Sequence, residues 1–122
     1  MATLTGIDFV ALQVRDMARS RRFYTEQLGL KPAAGSPPHA CVFDTAPIPF
    51  AIREPVMDLE ASNRLGWGVA LWFACDDADA LCRSLETAGA RILQQPVDGP
   101  FGRTFVVADP DGYALTIHGG EQ

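Results

Sequence analysis

The chain has 122 residues, 48% of them hydrophobic and 9% aromatic, which suits one compact domain and is too apolar for a disordered segment. A formal net charge of −5, without a basic stripe, argues against nucleic acid as a partner and suits neutral or cationic ligands. No run approaches the roughly 18 consecutive apolar residues of a membrane span, and Met1-Ala2-Thr3-Leu4-Thr5 lacks the basic start and apolar run of a secretory signal, so the expectation is a cytoplasmic protein with no membrane partner.

The first element is a strand around 9–15, because Val10, Leu12 and Val14 alternate with Phe9, Ala11 and Gln13 and so fall on opposite faces. Asp16 follows as the N-cap of a helix over 17–28, where its carboxylate can accept free first-turn amide hydrogens. Ser20, Phe23, Tyr24 and Leu28 give that helix its partly apolar stripe, and Gly29 ends it. Gly35-Ser36-Pro37-Pro38 reads as a loop. Extended segments follow at 40–44 and 50–53, and the polar stretch 54–66 connects to a second half.

The second half repeats the order. A strand around 70–75 places Leu71, Phe73 and Cys75 on one face and Ala70, Trp72 and Ala74 on the other. Asp77 caps a helix over 78–88 striped by Ala78, Leu81, Cys82, Leu85 and Ala88, which Gly89 ends. Extended segments at 104–108 and 114–118 flank Asp109-Pro110-Asp111-Gly112, a turn in which proline presets one backbone angle and glycine accepts the unfavourable one. Cys41, Cys75 and Cys82 form no CxxC pair and read as buried thiols.

Each half is thus a strand, a capping aspartate, a helix, a glycine and further strands: a βαβββ unit, with module 1 at about 5–54 and module 2 at about 66–119 of a single domain spanning 1–122. One such unit alone leaves a sheet face open, so two units around a shared concavity would cover apolar surface and leave a pocket.

Leu12-x-Val14-x-Asp16 with Phe23-Tyr24 and Leu28-Gly29, then Asp76-Asp77 with Ala88-Gly89-Ala90, then Gly102-Arg103 with Asp109-Pro110-Asp111-Gly112, resemble in order and repeat the vicinal oxygen chelate superfamily of glyoxalases, bleomycin resistance proteins and extradiol dioxygenases. The resemblance covers nearly the whole chain. It implies an α+β fold in which two βαβββ modules form a cupped, eight-stranded mixed sheet, and it implies a homodimer. It also implies where a metal would bind in the metal-dependent relatives: His, Glu or Gln on the first and last strands of each module. Those positions hold Phe9, Ala51, Ala70 and Thr116 here, and none is an imidazole or a carboxylate.

The same alternation turns another set inward. Phe9 and Trp72 offer aromatic walls, alanines 11, 51, 70, 74 and 114 leave room, and Gln13, Arg53, Thr116 and His118 are sparse polar anchors, with Trp67 at a rim. Arg103 reads as a structural hydrogen-bonding residue. No GxSxG, P-loop or GxGxxG occurs, and no histidine is placed beside a cysteine for nucleophilic chemistry. The expected function is that of a metal-free, cofactor-free binding protein for an aromatic, neutral or cationic natural product, similar to the bleomycin resistance branch and serving antibiotic resistance. The competing expectations are a glyoxalase- or dioxygenase-like lyase or other enzyme that uses the cup without a metal or with an atypical metal set such as His39, Asp44 and His118, and an interaction module whose cup is full.

Overall fold

A computed structural model describes residues 2–119. The chain divides into two compact units, Met1–Leu59 and Glu60–Gln122.

In the first unit, β1 (Val10–Gln13) lies parallel to β3 (Phe50–Arg53), which pairs antiparallel with β2 (Ala40–Phe43), in the order β1-β3-β2. Between β1 and β2 runs α1 (Met17–Arg22), continued by a π-helical turn at Phe23–Gln27. Asp16 caps α1 as its extended backbone and short carboxylate permit, its side chain accepting the Arg19 N–H at 3.0 Å. The strand faces follow the alternation: Val14, Cys41, Phe43, Phe50 and Ile52 are buried, together with Ser20, Phe23 and Tyr24. The Tyr24 ring sits 5.8 Å from Phe43 and 5.4 Å from Phe50, and these two phenylalanines stack on each other at 5.9 Å. Such tilted and offset aromatic arrangements stabilise a core beyond the area they bury.

In the second unit β4 (Leu71–Ala74), β5 (Arg91–Gly99), β6 (Gly102–Ala108) and β7 (Ala114–His118) form a sheet in the order β4-β7-β6-β5, parallel only between β4 and β7. The helix α2 (Ala78–Thr87) contacts β5 and β6. Asp77 caps it through the Ala80 N–H at 3.1 Å. At its far end Gly89, with φ +88°, lets the Ala90 N–H reach back to the Leu85 carbonyl at 2.9 Å, the wrapped ending that a glycine favours. Ala78, Cys82 and Leu85 are buried on the helix, as are Phe105, Val107, Leu115 and Ile117 on one face of the sheet. Leu81, expected in the same stripe, is only half-buried, and Ala88 is exposed.

Two features depart from the expected pair of identical units. Among the described residues there are seven strands, in sheets of three and four, where eight were expected. In the first unit the strand after the helix shrinks to a single bridge, Pro32 with Phe43, flanked by the Asp44 N–H to Lys31 and the Ala33 N–H to Val42 bonds at 2.7 Å each. Pro32 has no N–H to offer a ladder, and Gly35, Pro37 and Pro38 carry the chain away soon after. In the second unit the corresponding strand is β5, which alternation alone does not reveal. It is a nine-residue edge strand containing Pro96, with register shifts between Ile92 and Gln94 and between Gln94 and Val97. Such shifts break a period-two pattern, and an edge position tolerates the proline.

Arg103 on β6 fastens this unit. Its guanidinium grips the Asp79 carboxylate with two bonds of 3.1 and 3.2 Å and donates to Asp98 at 3.1 Å, joining α2, β6 and β5. Among the described residues, no helix is long and apolar enough to cross a membrane.

Candidate functional site

The sheet face of the second unit opposite its buried side carries the most distinctive cluster. Trp72 on β4 pairs in register with Thr116 on β7, and Thr104 on β6 pairs with His118, so these four residues share one face. Trp72 is 49% exposed although it belongs to a strand. Phe101, 65% exposed, stands on the two-residue connection between β5 and β6 and turns its ring to this face. Ring centroids lie 5.7 Å apart for Trp72 and Phe101, 5.7 Å for Trp72 and His118, and 6.4 Å for Phe101 and His118, all edge-to-face. Edge-to-face packing leaves ring faces open for another flat group to stack upon.

His118 is held at both ends of its residue. Its backbone carbonyl accepts the Cys75 N–H at 2.8 Å, and its ring Nδ1 lies 3.3 Å from the Phe101 carbonyl oxygen. Next to it Gly119, with φ +144°, packs so tightly on the turn before α2 that a methyl group there would fall onto the Cys75 carbonyl oxygen. Glycine is therefore required at the end of β7, and it fixes the strand that presents Thr116 and His118. Burial pushes the Cys75 thiol pKa up, reinforced by the carboxylates of Asp76 and Asp77, and burial likewise raises that of Cys82, so neither is poised as a thiolate nucleophile.

In the first unit, the face opposite the aromatic core carries Ala11, Gln13, Ala51 and Arg53. Phe9 precedes β1 and is 47% exposed. Gln13 is committed to its own chain: its Oε1 accepts the Val56 and Met57 N–H groups at 2.8 and 3.2 Å, pinning the segment after β3. Arg53 donates from Nε to the Glu54 carbonyl at 3.0 Å. Trp67, in the second unit, is exposed, with the Arg64 guanidinium 4.8 Å from its ring centroid. Of the residues singled out in the sequence, the structure brings together Trp72, Thr116 and His118. Phe101 escaped sequence reasoning because it sits on a turn, where alternation assigns no face; the only signal was an aromatic between Pro100 and Gly102.

The donor set does not fit a divalent metal of the kind the superfamily holds. Phe9, Ala51 and Ala70 have no side-chain lone pair, and one neutral threonine hydroxyl cannot replace His and carboxylate ligands. His39 is paired with Glu54 at 2.8 Å. Among the described residues, no group of three or more His, Cys, Asp or Glu side chains comes together as a metal ion would need.

Residues 6–117 match the model of the Glyoxalase/Bleomycin resistance protein/Dioxygenase superfamily. The chain belongs to that superfamily. Among curated members, it is 34% identical over 116 residues to the anthracycline biosynthesis protein DnrV of Streptomyces peucetius and 33% identical to DauV of Streptomyces sp. strain C5. Each match covers 84% of this chain but only 42% of the relative, so the chain spans about two fifths of those proteins. Among solved structures, a glyoxalase-related enzyme from Fulvimarina pelagi superposes with a TM-score of 0.74 at 26% identity, covering 93% of this chain and 87% of that one. TnmS3, an antibiotic binding protein from Streptomyces sp. CB03234, also reaches a TM-score of 0.74 with both chains fully covered; at 22% identity that likeness is one of fold. The superfamily hosts unrelated activities on one scaffold, so the site has to decide between them.

Proposed function

We propose that this protein binds a planar aromatic natural product and holds it without metal chemistry. The observation that carries the reading is the exposed, edge-to-face cluster of Trp72, Phe101 and His118 on one sheet face, with Thr116 beside it. A half-exposed tryptophan in a strand leaves apolar area in water that a flat ligand would cover. Loss of donors at Phe9, Ala51, Ala70 and Thr116 argues in the same direction, as do relatives named for anthracycline biosynthesis. A homodimer and a role in antibiotic resistance belong to this proposal, with Phe9, Arg53 and Trp67 as further contacts and Gln13 as a support for the segment after β3.

A second reading is an enzyme acting on the same class of molecule, favoured by the word biosynthesis in the names of the curated relatives. Isothermal titration of chelator-treated protein with a panel of anthracyclines and simpler planar aromatics separates the two. Saturable binding with the ligand recovered unchanged is the expected result. Conversion of the ligand, restored by a divalent metal, would establish the enzyme instead, and absence of binding across the panel would overturn both.

A further inference from the structure

His118 has a defined chemical polarity. The Phe101 carbonyl oxygen, 3.3 Å from Nδ1, can only accept a hydrogen bond, so this contact requires Nδ1 to carry the proton. In a neutral imidazole the remaining nitrogen, Nε2, is then a bare acceptor. Among the described residues Nε2 makes no hydrogen bond. The ring that carries it stands edge-to-face with Trp72 and Phe101, the two surfaces on which a planar ligand would stack.

We propose that His118 is the specificity residue of this face: its Nε2 accepts a hydrogen bond from an aromatic hydroxyl, so the ligands preferred are planar aromatics bearing a phenolic OH. This rests on the binding function proposed above. Phenolic hydroxyls are better donors than alcohols. Thr116, the cross-strand neighbour of Trp72, offers a hydroxyl to the same face but can both donate and accept, and so does not select for a ligand donor in the way a bare imidazole nitrogen does.

The test pairs two probes, 2-naphthol, whose hydroxyl stays protonated at the working pH, and naphthalene, against the wild type, His118→Phe and Thr116→Val at about pH 8, where an ordinary imidazole is neutral. The wild type and Thr116→Val should bind the hydroxylated probe roughly tenfold more tightly. His118→Phe keeps a ring beside Trp72 and should bind both probes alike. Nitrogen-15 spectra of the wild-type His118 ring should show a protonated Nδ1 and a bare Nε2 whose resonance moves only with the hydroxylated probe. The same preference in His118→Phe, its loss in Thr116→Val, or a proton on Nε2 would overturn the assignment. Equal, measurable affinity for both probes in the wild type would overturn it while leaving the binding function standing; no binding of either probe would remove both.

Discussion

At the scale of single residues, Trp72 shows how a strand position becomes a candidate contact. Alternation alone places it with Thr116 and His118 and opposite Leu71 and Phe73, and the register of β4 with β7 agrees. Its exposure, which no periodicity encodes, separates it from the core. Trp72→Ala should therefore leave the melting temperature nearly unchanged while weakening binding of a planar aromatic by about 1–3 kcal/mol, read by titration calorimetry. An unchanged affinity would take Trp72 out of the site. Gln13 shows the opposite limit. Its face was legible, but its two partner amides lie 43 and 44 residues along the chain, and nothing local to β1 announces that its carbonyl is spent on them.

At the scale of elements, the parts written in local chemistry were readable: Asp16 and Asp77 before their helices, Gly89 after the second, and the alternating strands β1, β4, β6 and β7. What escaped was set by partners distant in sequence. The edge strand β5 keeps its place by pairing with β6 through two register shifts, and Pro32 limits the first sheet to three strands. The second helix makes the distinction measurable. Leu85 is buried whereas Leu81 is half-exposed, so Leu85→Ala should cost about 2–5 kcal/mol in denaturant unfolding and Leu81→Ala distinctly less, neither altering ligand selectivity.

The clamp between helix and sheet has a pH signature. Hydrogen bonding to Arg103 holds the Asp79 carboxyl below its ordinary pKa. A carboxylate whose pKa is depressed on folding contributes stability that is fully present above its unfolded value and is lost as pH falls through the folded one. Asp79→Asn should accordingly lower the melting temperature at neutral pH, and the gap to the wild type should close as pH falls through and below the usual aspartate range. A gap of constant size down to strong acid would show that the ion pair is not its source.

At the scale of the whole molecule, order and repetition were enough to point to the superfamily, because capping aspartates and helix-ending glycines recur in both halves and the Asp109-Pro110-Asp111-Gly112 turn stands between the last two strands. Activity is less legible, since the scaffold is indifferent to what its open faces carry. Here those faces carry alanines and aromatic rings where a metal site would need imidazoles and carboxylates, and the account follows from that replacement. It is tested most directly by a nuclear magnetic resonance titration of metal-stripped protein with an anthracycline. Saturable shift changes concentrated at the Trp72 indole, Phe101, Thr116 and His118 are the expected result, with the ligand's own spectrum showing no new product. Shifts confined to other parts of the chain, or ligand signals converting to product once a divalent metal is restored, would contradict it.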